Sequence, residues 1–184
     1  SSFIKLLMGL YNPLSGKVMV DKLQMSHLDL DSFRSKIAFI GDDQYLFDGT
    51  LRQNILFGKN NVSNQELMQK FQKLGLDALV GQFHEGLETN LGEGGQFISC
   101  GQRRIVAFFQ AILKNPDVYI LDEPCVSMDE ASERLIVNCL NNFAKGKTLI
   151  LATHKSSMLS LVDNLLVLDK GKPVAYGPKS DVLA

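Results

Sequence analysis

The apolar positions of this chain switch repeatedly between helical spacing and short continuous runs, and that switching predicts its elements. Residues 2–10, SFIKLLMGL, carry apolar side chains at helical spacing and stop at Tyr11-Asn12-Pro13. A short strand over 17–20, a helical turn over 32–35 and a buried strand over 36–40 follow. A loop rich in glycine and acids, 41–49, leads into a mostly helical stretch over 50–57. From Ser63, a plausible N-cap, to about Val80 the pattern is amphipathic and predicts one helix. Residues 81–95 have many glycines and few apolar positions and read as loop. A helix from Cys100 to about Leu113 closes at Lys114-Asn115-Pro116. The apolar run 118–121 fits a strand buried on both faces. Helix 130–143, strand 147–152, a short helix over 156–162, strand 164–168 and a hairpin strand near 173–176 complete the chain.

Strands alternating with helices predict an α/β fold with a mostly parallel sheet flanked by helices. The largely helical stretch 61–113 interrupts the alternation and is the candidate subdomain. At 184 residues there is room for one domain with a core, or a domain plus a small subdomain. The net charge of −1 and the lack of a basic cluster argue against a nucleic-acid partner. Cys100, Cys125 and Cys139 have no metal-ligand spacing, and an odd count favours a reducing compartment. No apolar stretch approaches the length of a membrane span, so another segment or chain would supply any crossing.

Chemistry concentrates in two places. In ISCGQRR, residues 98–104, Ser99 and the backbone near Gly101 stand at the head of a helix, where N–H groups and the helix dipole favour anions. In VYILDEPCVSMD, residues 118–129, Asp122 and Glu123 end a buried strand, the edge at which open α/β sheets place ligands. Asp122 there can reach a magnesium ion, and Glu123 can orient a water for phosphoryl transfer. A strand end carrying two solvated acids is the plainer alternative. Asp129 reads equally as an N-cap for helix 130–143. His154 follows the apolar strand LILAT and can donate to a phosphate oxygen, although a lone histidine at such a place is more often structural.

Together these motifs closely resemble the ATP-binding cassette of ABC transporters. ISCGQ resembles the LSGGQ signature, VYILDE the Walker B strand, VSMD the D-loop, and Thr153-His154 the switch histidine. YLFDGTLRQNILFG, residues 45–58, resembles the stretch after the Q-loop of exporter-type cassettes. Residues 153–183, with DEPCVSMD, look like the exporters of bacterial type I secretion systems. The resemblance implies an incomplete RecA-like, P-loop ATPase core over 1–60 and 114–184, with a helical subdomain over 61–113.

It further implies an ATPase that binds ATP and Mg2+. Two cassettes would pair head to tail, and Ser99, Cys100, Gly101 and Gln102 would contact the triphosphate bound by the partner. Asp122 would support magnesium, Glu123 would polarise the water, His154 would touch the γ-phosphate and Asp129 would communicate across the dimer. Hydrolysis would drive a transmembrane domain, through which alone the chain would contact the membrane, at the cytoplasmic face of the bacterial inner membrane. Polypeptides would be the cargo.

Three departures from the family pattern carry expectations of their own. SSFIKLLMGL resembles the sequence that follows the Walker A lysine, which would make Ser1 the magnesium-binding hydroxyl and place Ser2 beside the nucleotide. The glycines and lysine of Walker A, its strand and the N-terminal β-subdomain are then absent, as in a fragment of a longer cassette. The missing strand is expected to leave the sheet open beside 118–121. Where the family has the Q-loop glutamine the chain reads Gly41-Asp42-Asp43, so Asp42 would offer its oxygen to magnesium, with Gln44 nearby. Cys100 replaces the first glycine of the signature pair. A degenerate cassette that dimerises but neither binds nor hydrolyses ATP alone is the alternative reading.

Overall fold

A computed structural model describes residues 2–41, 45–57 and 62–184. Ser1 and Asp42, with Asp43 and Gln44, lie outside the described residues. The chain divides into two compact units, Ser1–Ala152 and Thr153–Ala184.

The first unit opens with helix α1 (Ser2–Leu7), a two-residue ladder of β1 (Met19–Val20) and β2 (Leu23–Gln24), and helix α2 (Leu30–Ser35). Strand β3 (Ile37–Ile40) then enters the centre of the unit. Helices α3 (Leu51–Leu56), α4 (Asn64–Leu74), α5 (Asp77–Val80) and α6 (Cys100–Lys114) carry the chain from β3 to β4 (Val118–Asp122). Helix α7 (Glu130–Phe143) is the crossover from β4 to β5 (Thr148–Ala152). Parallel neighbours require connections of this length, because each strand must return to the same end of the sheet.

The three strands form a parallel sheet in the order β3-β4-β5, with Ile40 opposite Leu121 and Asp122 opposite Ala152. Tyr119, Ile120 and Leu121 are buried, as the continuous apolar run predicts for a strand covered on both faces. One correction concerns the sheet's edge. β4 is hydrogen-bonded on both sides and is not open; among the described residues, the edges of this sheet are β3 and β5. Leu149, Ile150 and Leu151 of β5 are accordingly only half-buried. Sequence spacing marks a strand as apolar, but which strand lies next to it depends on how the crossovers fold back.

Local chemistry explains most element ends. Thr50, Ser63 and Ser99 each cap a helix through a capping box with Gln53, Glu66 and Gln102, so two N–H donors at each helix head are satisfied reciprocally. The single helix expected over 63–80 is instead two. Gly75 adopts φ 69°, and Leu76 N donates to Phe71 O at 2.9 Å, a helix-terminating turn that favours glycine. Leu76 is then fully buried, so the break directs an apolar side chain into the core.

Apolar contact holds the helices to the sheet. Phe71 of α4 stacks on Phe109 of α6 with ring centroids 4.4 Å apart. Phe143 of α7 meets Tyr119 of β4 edge-on at 4.9 Å, and Lys147 Nζ lies 5.4 Å from the centre of the Tyr119 ring. Burial pushes the Tyr119 hydroxyl well above its usual range, with the Cys139 thiol a lesser cause. Ile4 of α1 packs with Ile37 and Ile120, laying the first helix against the strands β3 and β4.

In the second unit a 3-10 turn over Ser156–Leu161 precedes an antiparallel hairpin of β6 (Asn164–Asp169) and β7 (Lys172–Pro178). Lys170 and Gly171 form its two-residue tip, both at positive φ, which matches the twist of the flanking strands. Helix α8 (Lys179–Val182) closes the unit, with Lys179 Nζ donating to Leu159 O at 2.9 Å.

Candidate functional site

Asp122 and Glu123 stand at the C-terminal end of the central strand, as the run VYILDE predicts. Both are half-buried. Glu123 N still donates to Ala152 O of β5 at 2.9 Å, but Glu123 itself adopts φ 49°, so the chain leaves the sheet in a sharp turn at this residue. A non-glycine residue in the left-handed region is uncommon and is held by its surroundings. Here Cys125 is buried beneath the turn, and Ser127, also left-handed at φ 62°, re-aims the chain toward α7. Asp129 then caps α7, its carboxylate accepting from Ser132 N at 2.9 Å and from Ser132 Oγ at 2.6 Å. These bonds, that of the Ser132 side chain foremost, hold the Asp129 carboxyl below its usual pKa. The capping reading of Asp129 is therefore observed directly.

The head of α6 reaches the same loop. A Cβ on Gly101 would lie 2.8 Å from the carbonyl oxygen of Ser127, closer than side-chain carbons approach backbone. Glycine at 101 thus lets the first turn of α6 lie against the loop that follows β4. The capping box satisfies Ser99 N, through Gln102 Oε1 at 2.9 Å, and Gln102 N, through Ser99 Oγ at 3.1 Å. Of the donors that a helix start leaves over, the N–H groups of Cys100 and Gly101 are not taken up by the capping box. Cys100 is exposed, and its sulfur accepts from Arg103 Nη2 at 3.1 Å.

The structure therefore brings Ser99, Cys100, Gly101 and Gln102 together with the loop that leads from Glu123 to Asp129. Ser2 opens α1 and lines an open cleft of about 640 Å³ with Leu6, Leu10, Tyr11 and Leu14. His154 is exposed and belongs to the second unit, where the neighbouring Thr153 Oγ1 accepts from Lys155 N at 3.1 Å. Among the described residues no group of three or more His, Cys, Asp or Glu gathers to hold a metal. The donor set still fits magnesium, which takes one or two carboxylates and fills its shell with water and phosphate oxygens. Asp122 at the strand end is such a carboxylate.

Two residues of this site were missed by sequence reasoning. Ser132 stands three positions after the capping Asp129, a spacing that local rules can find. Gln82, whose Nε2 donates to Ser132 Oγ at 2.7 Å, lies in the glycine-rich stretch after α5, where nothing in the local pattern singles it out.

Against known proteins, a family model described as ABC transporter matches residues 1–126. The chain belongs to the ABC transporter family. It is 33% identical over 184 residues to an uncharacterized ABC transporter ATP-binding protein, YknV, of Bacillus subtilis, covering 100% of this chain and 30% of that protein. A putative export ATP-binding/permease protein of Rickettsia typhi is 30% identical over 182 residues, covering 99% of this chain and 32% of the relative. Among solved structures, a bacterial Atm1-family ABC exporter with ATP bound superimposes with a TM-score of 0.86 at 27% identity. That match covers 99% of this chain and 32% of the exporter. This ABC transporter chain thus spans about a third of the length of each of these three proteins. No helix among its described residues is long and apolar enough to cross a membrane.

Proposed function

We propose that the chain is the ATP-binding and ATP-hydrolysing module of an ABC exporter. The observation that carries this reading is the placement of Asp122 and Glu123 at the C-terminal end of the central parallel strand, with the capped head of α6 against the Ser127 carbonyl of the loop that follows them. Asp122 would hold magnesium, which supplies charge neutralisation on the phosphate oxygens. Ser1 and Asp42 are the further oxygen donors proposed for it. Glu123 accepts a hydrogen bond from the water that adds to the γ-phosphoryl group as the bond to ADP breaks. His154 donates to a γ-phosphate oxygen. Catalysis on this scheme is positioning and electrostatics, because phosphoryl transfer asks little covalent chemistry of the protein.

Ser99, Cys100, Gly101 and Gln102 serve the nucleotide of a second module paired head to tail, and Ser2 stands beside the module's own. The N–H groups of Cys100 and Gly101 and the dipole of the 15-residue helix α6 suit an incoming phosphate. Asp129 stands at the same face for communication between the two modules. Residues 61–113 act as a helical subdomain on the core formed by 1–60 and 114–184. A transmembrane domain is the mechanical partner, and the module works at the cytoplasmic face of the membrane that domain crosses. The pattern of 153–183 supports polypeptide export across the bacterial inner membrane as the transport reaction.

The test is ATP turnover by the transporter that carries this chain, measured with Glu123 intact and as Glu123→Gln. General-base catalysis contributes about 100- to 10,000-fold, so turnover should fall at least about 100-fold while nucleotide binding persists. Turnover within tenfold of the parent would refute the role given to Glu123.

A further inference from the structure

A line of hydrogen bonds runs from Asp129 to Ser99 through residues far apart in sequence. Ser132 Oγ donates its single proton to Asp129 Oδ2 at 2.6 Å. The same oxygen accepts from Gln82 Nε2 at 2.7 Å, across a separation of 50 residues. The backbone carbonyl of Gln82 in turn accepts from Gln102 Nε2 at 2.8 Å, and Gln102 Oε1 accepts from Ser99 N at 2.9 Å. Ser132 is buried, so its hydroxyl has little access to water and depends on these two partners. Gln82 is an exposed loop residue, yet its side chain and its backbone each make one link of this line.

We propose that Gln82 is a positioning residue that fixes the head of α6 relative to Asp129, so that signature helix and D-loop move as one piece. Two struts then join these segments. One is the approach of Gly101 to the Ser127 carbonyl, and the other is the Gln82 bridge. A line whose donors all run in one direction also polarises along its length, so a change at one end is felt at the other. The value of this coupling for catalysis rests on the proposed function, because Asp129 and Ser99 would both face the neighbouring module. The bridge itself does not depend on nucleotide.

The chemistry required of residue 82 is specific. The Ser132 proton is already committed to Asp129, so the side chain at 82 must donate. Gln82→Lys keeps a donor of comparable reach. Gln82→Met keeps bulk without a donor, and Gln82→Glu presents an acceptor to an oxygen that has no second proton. Because Gln82 is exposed, all three variants should fold.

The experiment is heteronuclear NMR of the full chain without nucleotide, following the Ser99 amide and the Gln102 side-chain amide. Gln82→Lys is expected to leave both resonances near their parent positions, whereas Gln82→Met and Gln82→Glu displace both. Ser132→Ala should shift the same resonances in the parent background, and that shift should fall to less than half in the Gln82→Met background. Equal positions for the Lys, Met and Glu variants, or an undiminished Ser132→Ala shift in the Gln82→Met background, would overturn the bridge. In the hydrolysing transporter, Gln82→Met should lower kcat about tenfold with Gln82→Lys near parent; equal turnover in the two overturns the positioning role. A bridge present in the NMR data together with turnover that survives Glu123→Gln would instead locate the failure in the catalytic reading.

Discussion

Replacing Gly101 by alanine tests the closest approach in the site. In an ordinary helix the change stabilises, because alanine exceeds glycine by about 1 kcal/mol in helix propensity. At this position the new Cβ would stand 2.8 Å from the Ser127 carbonyl oxygen, and ordinary contact begins near 3.4 Å. The opposing atom is backbone, in a loop held by the left-handed residues Glu123 and Ser127, so it cannot rotate away as a side chain would. Overpacking of this kind costs about 1–3 kcal/mol. After the helix gain, the net loss is at most about 2 kcal/mol, which reduces the folded-to-unfolded ratio by up to about 30-fold.

Urea unfolding followed by far-UV circular dichroism reads this directly. With a slope of about 2 kcal/mol/M, the midpoint should drop by up to about 1 M. Gly81→Ala is the matched control. Gly81 has φ −63° and ψ −13°, and its added Cβ would be 3.4 Å from the Ala78 carbonyl. There alanine fits and should stabilise by about 0.4–1 kcal/mol through the unfolded state. If Gly101→Ala is as stable as Gly81→Ala, the head of α6 does not press on the Ser127 carbonyl and the site geometry argued here fails.

Phe71→Ala should destabilise the first unit by about 3–5 kcal/mol, since the ring is fully buried and stacked on Phe109; calorimetry of the variant checks it, and a loss under 1 kcal/mol contradicts the packing. Gly75→Ala meets no atom within 4 Å but must hold φ 69°, so it should cost about 1–2 kcal/mol, with Gly75→Asn milder. Asp129 has a folded-state pKa below its ordinary 3.8, so its contribution to stability is present above about pH 4 and is lost as pH falls through the folded value. Asp129→Asn should therefore flatten the fall of the thermal midpoint as pH drops below about 4, and an unchanged slope would remove the role assigned to its bonds with Ser132.

Much of the fold is legible in local pattern because its causes are local. The run Val118–Asp122 is apolar enough to be a covered strand and ends in acids, and the structure sets it at the centre of the sheet. The capping residues Ser63 and Asp129 act on N–H groups two or three positions away, so spacing alone predicts them. Gly75 shows where such reasoning falls short. Helical periodicity continues past it, and only its left-handed conformation, stabilised by the burial of Leu76, splits the helix.

The sequence by itself determined most of the elements, the acid pair at a strand end, the helix that opens after Ser99 and the resemblance to a transporter cassette. These rest on side-chain periodicity and on contacts within a few residues. Only the tertiary structure decided that β4 is paired on both sides, that Gly101 must lack a side chain to meet Ser127, and that Gln82 joins Ser132 across 50 residues. The physical reason is that a hydrogen bond or a close backbone approach between distant segments leaves no trace in the spacing of either one. It exists only once the crossover helices have brought the two segments to the same end of the sheet.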